Sequence, residues 1–454
     1  MIFSLLKFKK NFYNLSLFRI LYVISLLFET VCFTETIFGW INGFLIFWAF
    51  LIFLHIMFNE PYKLKIENRT EIIVFILLSI LTSFVNFSSN FLMNLITSFH
   101  NFMCIFFFLG MYKNTSKEKI KKEMKFMLNF FLYFSILFSL GGFYSIFLSK
   151  TNDYPYRIGI YENRFFGIST NPNQAGLVSV ISIFSCDLLN DLNCKNKVNR
   201  FISILCVFIN IITLFLTDSN ASFVFLISYL GVKMLYETFS KYEKIKDIKF
   251  IRETFFVFIS LVVMISSSFL LRASCQIFVS KFLSKAECKT LTTVNNIEEE
   301  EIVETKLGRG NHEISSGRIQ LLKQGLKLSK IHPLIGIGRE NLPYYGKIYL
   351  NGGLAFPSKH QDLHNIYMSL IVSYGWIGFI LFIIFILKNI RKIISEIFTQ
   401  THSKKSKIIS KFLSIIISYF AYGTFEIGIM SGMFLPDILI WVFFGYALSF
   451  SDQD

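Results

Sequence analysis

The stretch LHNIYMSLIVSYGWIGFILFIIFIL, residues 363–387, decides the fold class. It opens with a leucine, a histidine and an asparagine, then runs to Leu387 without a single charged residue. A run of that length crosses a hydrocarbon core of about 30 Å as a helix. Comparable runs recur over the whole chain of 454 residues. Read for length and apolar content, they place spans at 15–33, 37–58, 72–89, 91–112, 126–149, 173–192, 200–217, 220–239, 253–271, 365–387, 408–425 and 433–450. Phenylalanine alone supplies 56 residues, apolar side chains make up 53% of the chain, and the mean hydropathy is +0.54. Soluble globular proteins of this length do not show that balance. The expectation is an all-α polytopic membrane protein with about twelve transmembrane helices.

The first span follows Lys7, Lys9 and Lys10, as a signal core follows its basic flank. It is longer than such a core and no small-residue cleavage site follows, so it is expected to be retained. The net charge of +15 is a topology signal rather than a nucleic-acid one. Lys and Arg resist translocation and collect in cytoplasmic loops. Here alternate loops are basic, while short turns such as FSSN at 87–90 and TDSN at 217–220 carry no Lys or Arg. That pattern puts both termini in the cytoplasm and divides the chain into a membrane domain at 1–271, a large external loop at 272–364 and a second membrane domain at 365–454. Most of the seven cysteines fall within helices. Cys275 and Cys288 lie in the external loop, where a disulfide and two free thiols both stand open.

A structureless loop of such length is usually functional or disordered. Its acidic run NNIEEEEIVE, 295–304, reads as a solvated turn. SSGRIQLLKQGLKLSK, 315–330, offers Ser315 or Ser316 as a helix cap, with Ile319, Leu322 and Leu326 on one face and Lys323, Lys327 and Lys330 on another. Arg318 falls in the first turn of that helix, beside free backbone N–H groups that favour an anion. A surface helix that binds headgroups is the plainer reading. In HPLIGIGREN, 332–341, Pro333, Gly336 and Gly338 fix a tight path. Such a path either brings backbone donors to a phosphate or returns the chain to the bundle.

The order SGR, amphipathic helix, HPLIGIG, LHNIY and YGWIG resembles the O-antigen ligase and oligosaccharide repeat-unit polymerase superfamily. YENRFFGISTNPNQAG, 161–176, is similar to the arginine and NPN element of that family. The likeness covers residues 161–380. It implies a GT-C-like polytopic enzyme that moves a glycan from a polyprenyl-diphosphate donor to a glycan hydroxyl at the outer face of the cytoplasmic (inner) membrane. No cofactor and no metal are implied. The implied partners are the polyprenyl-diphosphate-linked oligosaccharide and membrane lipid, with the flippase and chain-length regulator of the same pathway, and no nucleic acid. One departure stands out. Relatives of the ligase type carry a Ser-Arg pair where LTDSNASF, 216–223, has Asn220. A cation is expected to be missing there, with Arg164 or Arg339 as substitutes, which favours polymerase over ligase.

The chemistry needs a cation for the charge that builds on the leaving diphosphate, and arginine grips phosphate bidentately without losing its proton. Arg318 is the first candidate, then Arg164 and Arg339. The attacking hydroxyl needs a base, and histidine supplies one near neutral pH. His364 fits. At the N-terminus of a helix and among cations it is expected to stay neutral. Asn365 is a candidate to hold a sugar hydroxyl or the loop backbone, and Asn173, which with Asn171 flanks Pro172, is a further substrate-binding candidate that capping explains nearly as well. The structural alternative for His364 and Asp362 is that they cap the helix. His360 and His364 with Asp362 are spaced like part of a metal site, but third and fourth ligands are not evident. Glu29, His55 and His100 within helices are expected to pair between helices. Glu426 and Asp437, near the outer side of the last hairpin, are candidates for the acceptor path, and Tyr344 and Tyr345 for stacking on sugar. Ligation to a lipid A core and transport of lipid-linked sugar remain the alternatives. A transporter would carry paired broken helices near the midplane, and no internal repeat of that kind is visible.

Overall fold

A computed structural model describes residues 12–64, 69–87, 90–147, 158–161, 164–192, 197–241, 248–291, 317–350, 353–354, 362–399, 403–426, 428, 430 and 434–451. Each expected span coincides with a helix: α1 (Leu15–Glu29), α2 (Glu35–Asn59), α3 (Arg69–Val85), α4 (Phe91–Met103, continued by a π-helical turn Cys104–Leu109), α5 (Lys117–Phe147), α6 (Pro172–Leu192), α7 (Lys197–Thr217), α8 (Asn220–Lys241), α9 (Ile248–Leu291), then α12 (Ile366–Thr399), α13 (Lys404–Tyr422) and α14 (Leu435–Ser451). Helices α10 (Arg318–Leu328) and α11 (Leu342–Tyr349) lie between α9 and α12. Eight helices among the described residues are long and apolar enough to cross a membrane. The chain is an all-α polytopic membrane protein. Helix is the local answer to lipid, because a backbone with no water beside it must satisfy its own hydrogen bonds. The exposed faces are apolar accordingly: on α2, Trp40, Phe44 and Phe58 stand outward.

The chain divides into two compact units. The first comprises Met1–Glu29, Thr36–Met127 and Ile314–Asp454. One of its staples is Arg19, almost fully buried, which donates through Nε and Nη2 to Glu123 at 2.8 and 2.7 Å. Its Nη1 donates to the carbonyl of Phe107 in the π turn at 3.2 Å, satisfying an acceptor that the irregular backbone frees. The intramembrane polar groups are paired as expected: Glu29 accepts from Asn42, His55 stacks on Tyr13, and His100 meets the Tyr22 hydroxyl at 2.8 Å.

The segment after Gly317 has a core of its own. Leu321, Leu328, Ile337, Leu342, Leu350, Leu354 and Leu363 pack against Met368 and Val372 of α12. The glycine turn is bound into the bundle, which settles how its tight path is used. Gly375 breaks α12 with φ 69°. HPLIGIG fills the break: Ile337 and Gly338 donate to the carbonyls of Val372 and Ser373, and Trp376 and Ile377 donate to Pro333 and Leu334. Asn86 donates to the Gly336 carbonyl at 3.0 Å. The N–H groups of Gly336, Ile337 and Gly338 are all engaged within the chain, so the turn is structural and is no phosphate cradle.

The second unit comprises Thr30–Glu35 and Leu128–Glu313. Between α5 and α6 the chain forms a short antiparallel hairpin, β1 (Gly159–Tyr161) and β2 (Arg164–Gly167). Ser169 bridges to Val31. Helix α9 runs well past residue 271, so the start of the expected external loop is helical. Cys275 on this helix is a free thiol, and the side chain of Cys288 lies outside the described ones.

Candidate functional site

Gly317, with φ 72°, turns the chain into α10 and makes Arg318 the first residue of the helix. A side chain would resist that left-handed backbone, which is why glycine precedes the arginine. Ser315 and Ser316, the expected caps, lie outside the described residues. Arg318 Nη2 donates to Glu426 Oε1 at 2.8 Å. The second carboxylate oxygen, Oε2, lies 3.3 Å from His364 Nδ1. Arginine and imidazole, both read from the sequence, thus meet on one buried carboxylate. An ionised carboxylate only accepts, so Nδ1 carries a proton, and in the neutral form of the ring Nε2 carries the lone pair. Glu426 is a residue whose bridging role the sequence did not signal beyond its being an isolated ionisable group between two apolar helices.

The backbone around His364 is held firmly. Asn365 caps α12, accepting from the Met368 N–H at 2.9 Å, and donates to the Thr424 carbonyl at 3.1 Å. Ile366 N donates to the Gly423 carbonyl at 2.8 Å. Between these ties His364 adopts φ 46°, a left-handed conformation that costs a residue with a Cβ about 1–3 kcal/mol. The strain directs its ring at Glu426.

Electrostatics reverse one expectation. Burial by itself would lower the pKa of His364, but the hydrogen bond and charge of Glu426 outweigh it and raise the pKa above the ordinary histidine value. The helix end and nearby cations are expected to keep the ring neutral, but the hydrogen bond and charge of Glu426 prevail over the opposing charge of Arg318. Burial would raise Glu426, yet His364 and Arg318 hold it below the usual carboxylate range. Arg318 Nε is buried and has no hydrogen-bond partner among the described residues. A charged donor left so costs about 1–3 kcal/mol, and such a group in a native fold calls for a functional account.

Arg339 is buried and paired with Asp362. Burial opposes its charge, but Asp362 outweighs that and raises its pKa further. Asp362 also accepts from Ser369 Oγ at 2.9 Å and from the Leu363 N–H. Arg339 therefore links the glycine turn to the residues just before His364. Arg164, on β2 of the second unit, donates to Asn173 Oδ1 at 2.8 Å and through Nε to the Thr217 carbonyl at 3.1 Å. The missing cation near Asn220 is a correction. Arg272, from α9, donates to Asn220 Oδ1 at 2.9 Å and pairs with Asp218, so a guanidinium reaches this turn from elsewhere in the chain. Asp437 is buried in the first turn of α14. Tyr345 donates to Asn86, and Tyr344 is exposed. His360 lies outside the described residues, among which no group of three or more His, Cys, Asp or Glu stands ready for a metal.

Helix α8, the long α9, the arginine-headed α10 and the broken α12 give the comparison its place. Residues 205–383 match the O-antigen ligase family. The matched stretch takes in Arg272, Arg318, Arg339, Asp362, His364 and the glycine turn, and bears out the resemblance read from the motifs. A search among curated proteins returns no match. The match spans less than half of the chain; it is consistent with the O-antigen ligase and polymerase superfamily, in a chain whose long apolar helices are those of a multi-pass membrane protein.

Proposed function

We propose that the protein polymerises polyprenyl-diphosphate-linked oligosaccharide repeat units into a capsular or exported polysaccharide or an O-antigen, at the outer face of the cytoplasmic membrane. The observation that carries the reading is Glu426 holding Arg318 and His364 at one place. In the proposed step the acceptor hydroxyl gives its proton to His364 Nε2 as its oxygen bonds to the anomeric carbon of the donor. The anomeric C–O bond to phosphate breaks, and the electron pair leaves with the diphosphate. Arg318, through its unpartnered Nε and its remaining N–H groups, stabilises that charge where it develops. Glu426 orients the imidazole and stabilises its charged form. Asn365 shapes the site through the backbone. Arg339 acts as a strut, and Arg164 with Asn173 holds the turn between α7 and α8.

A second reading, ligation of a finished glycan to a lipid A core, is favoured by Arg272 beside Asn220, since a cation is not missing at that turn. The test supplies the purified protein with polyprenyl-diphosphate oligosaccharide and no nucleotide sugar. A ladder of repeat units supports polymerisation, whereas transfer to a lipid A core acceptor alone supports ligation. Arg318→Ala is expected to lower the rate on the order of 10²–10³-fold, and His364→Ala by about 10²–10⁴-fold. Normal elongation by both variants would overturn the assignment.

A further inference from the structure

Helix α10 has three stripes. Leu321, Gly325 and Leu328 face the core, and Gly325 comes so close to Met368 that a Cβ there would overlap its side chain. About a third of a turn away, Ile319, Leu322 and Leu326 form a second apolar stripe. It is exposed: 58%, 38% and 50% respectively. Lys323 and Lys327 border that stripe, and Lys330 follows just past the helix end, all exposed. The core stripe accounts for the folding of the helix, and the second stripe is left without a role in it. Helix α10 packs on Leu363 and Met368, at the first turn of α12, whose N-terminus is tied to the end of α13 through Gly423.

We infer that α10 lies in the plane of the membrane, with Ile319, Leu322 and Leu326 seated among the acyl chains and the lysines at anionic phospholipid headgroups, in the leaflet that α12 enters. An apolar stripe flanked by lysines is the pattern of an interfacial helix, whose long basic side chains reach up to the phosphates. Its attachment beside the entry of a long apolar helix puts it at the depth where lipid headgroups begin. One consequence bears on the site. Arg318 lies between the core stripe and the lipid stripe, so its guanidinium sits at headgroup level, where the diphosphate of a lipid-linked donor travels.

The inference rests on the multi-pass fold and not on the transfer chemistry, so its test reads depth without turnover. The full-length protein, carrying Cys275→Ser and Cys288→Ser, receives a nitroxide label at Leu326→Cys or at Gln320→Cys and is placed in nanodiscs of phosphatidylethanolamine and phosphatidylglycerol. The ratio of oxygen to nickel-chelate collisions is expected to be several-fold higher at 326 than at 320. Lys323→Gln with Lys327→Gln and Lys330→Gln is expected to lower the ratio at 326. Equal nickel access at both positions overturns the inference. So does a 326 label shielded from both reagents, which would mean that a protein surface or second copy covers the stripe. A ratio unchanged by the lysine substitutions overturns the headgroup contact.

Discussion

At Glu426, one carboxylate serves two cations, and the consequence is a pH dependence with a definite sign. The raised pKa of His364 means that its basic form is populated only above a pH higher than that of an ordinary histidine, about 6.5. Activity should therefore rise with pH along an acid limb set by this residue. Glu426→Gln removes the charge that stabilises imidazolium, so the pKa falls and the limb moves to lower pH. The same change loosens the ring, so the maximum rate should fall as well. A pH–rate profile of both proteins in nanodiscs checks it; an unmoved limb would separate Glu426 from the base. Arg339 and Asp362 behave differently, because neither is offered to solvent. Removing either alone should destabilise by about 3–5 kcal/mol, since it strands a buried charge, whereas Arg339→Met with Asp362→Leu should cost clearly less than the two single effects added. Thermal unfolding of the four proteins measures the coupling.

At the scale of elements, the notable device is the broken α12 repaired by a turn from before it in sequence. Gly375 and Gly336 face each other's backbone: a Cβ on Gly375 would overlap the carbonyl of Leu334, and one on Gly336 would overlap that of Ser373. Both also have φ in the left-handed region, 69° and 76°. Gly353 shares such a φ, 82°, but among the described residues nothing lies within 4 Å of a Cβ at that position. The three positions separate two causes. Gly353→Ala should cost only the conformational preference, about 1–2 kcal/mol. Gly375→Ala and Gly336→Ala should cost more, because backbone must move and the hydrogen bonds from Ile337, Gly338, Trp376 and Ile377 must part. Heating curves followed by intrinsic fluorescence would rank them, and equal losses at all three would refute the steric argument.

At the scale of the molecule, the distribution of Lys and Arg predicts orientation. Both termini should face the cytoplasm and the segment around residues 292–316 the exterior. Alkaline phosphatase, active only outside the cytoplasm, should be active when inserted in that segment and inactive when fused after Asp454. The opposite result would put Arg318 and His364 on the wrong face for an exported glycan.

The sequence by itself placed twelve apolar spans, each of which falls on a helix among the described residues, and named Arg318 and His364 as candidates. A span is recognised from its own residues, because lipid offers the backbone no other partner than itself, and the candidate arginine and histidine sit in short motifs. The hairpin at β1 and β2 escaped notice because two strands of three and four residues carry too little periodicity to read. Only the tertiary structure decided that Glu426 joins the site from 108 and 62 residues away, that HPLIGIG mends α12 instead of cradling phosphate, that Arg272 reaches Asn220, and that the histidine is drawn toward its charged form. Each of these depends on which polar groups meet after the helices pack, and the energy of a charge is set by its nearest neighbours in space, which the order of residues along the chain does not specify.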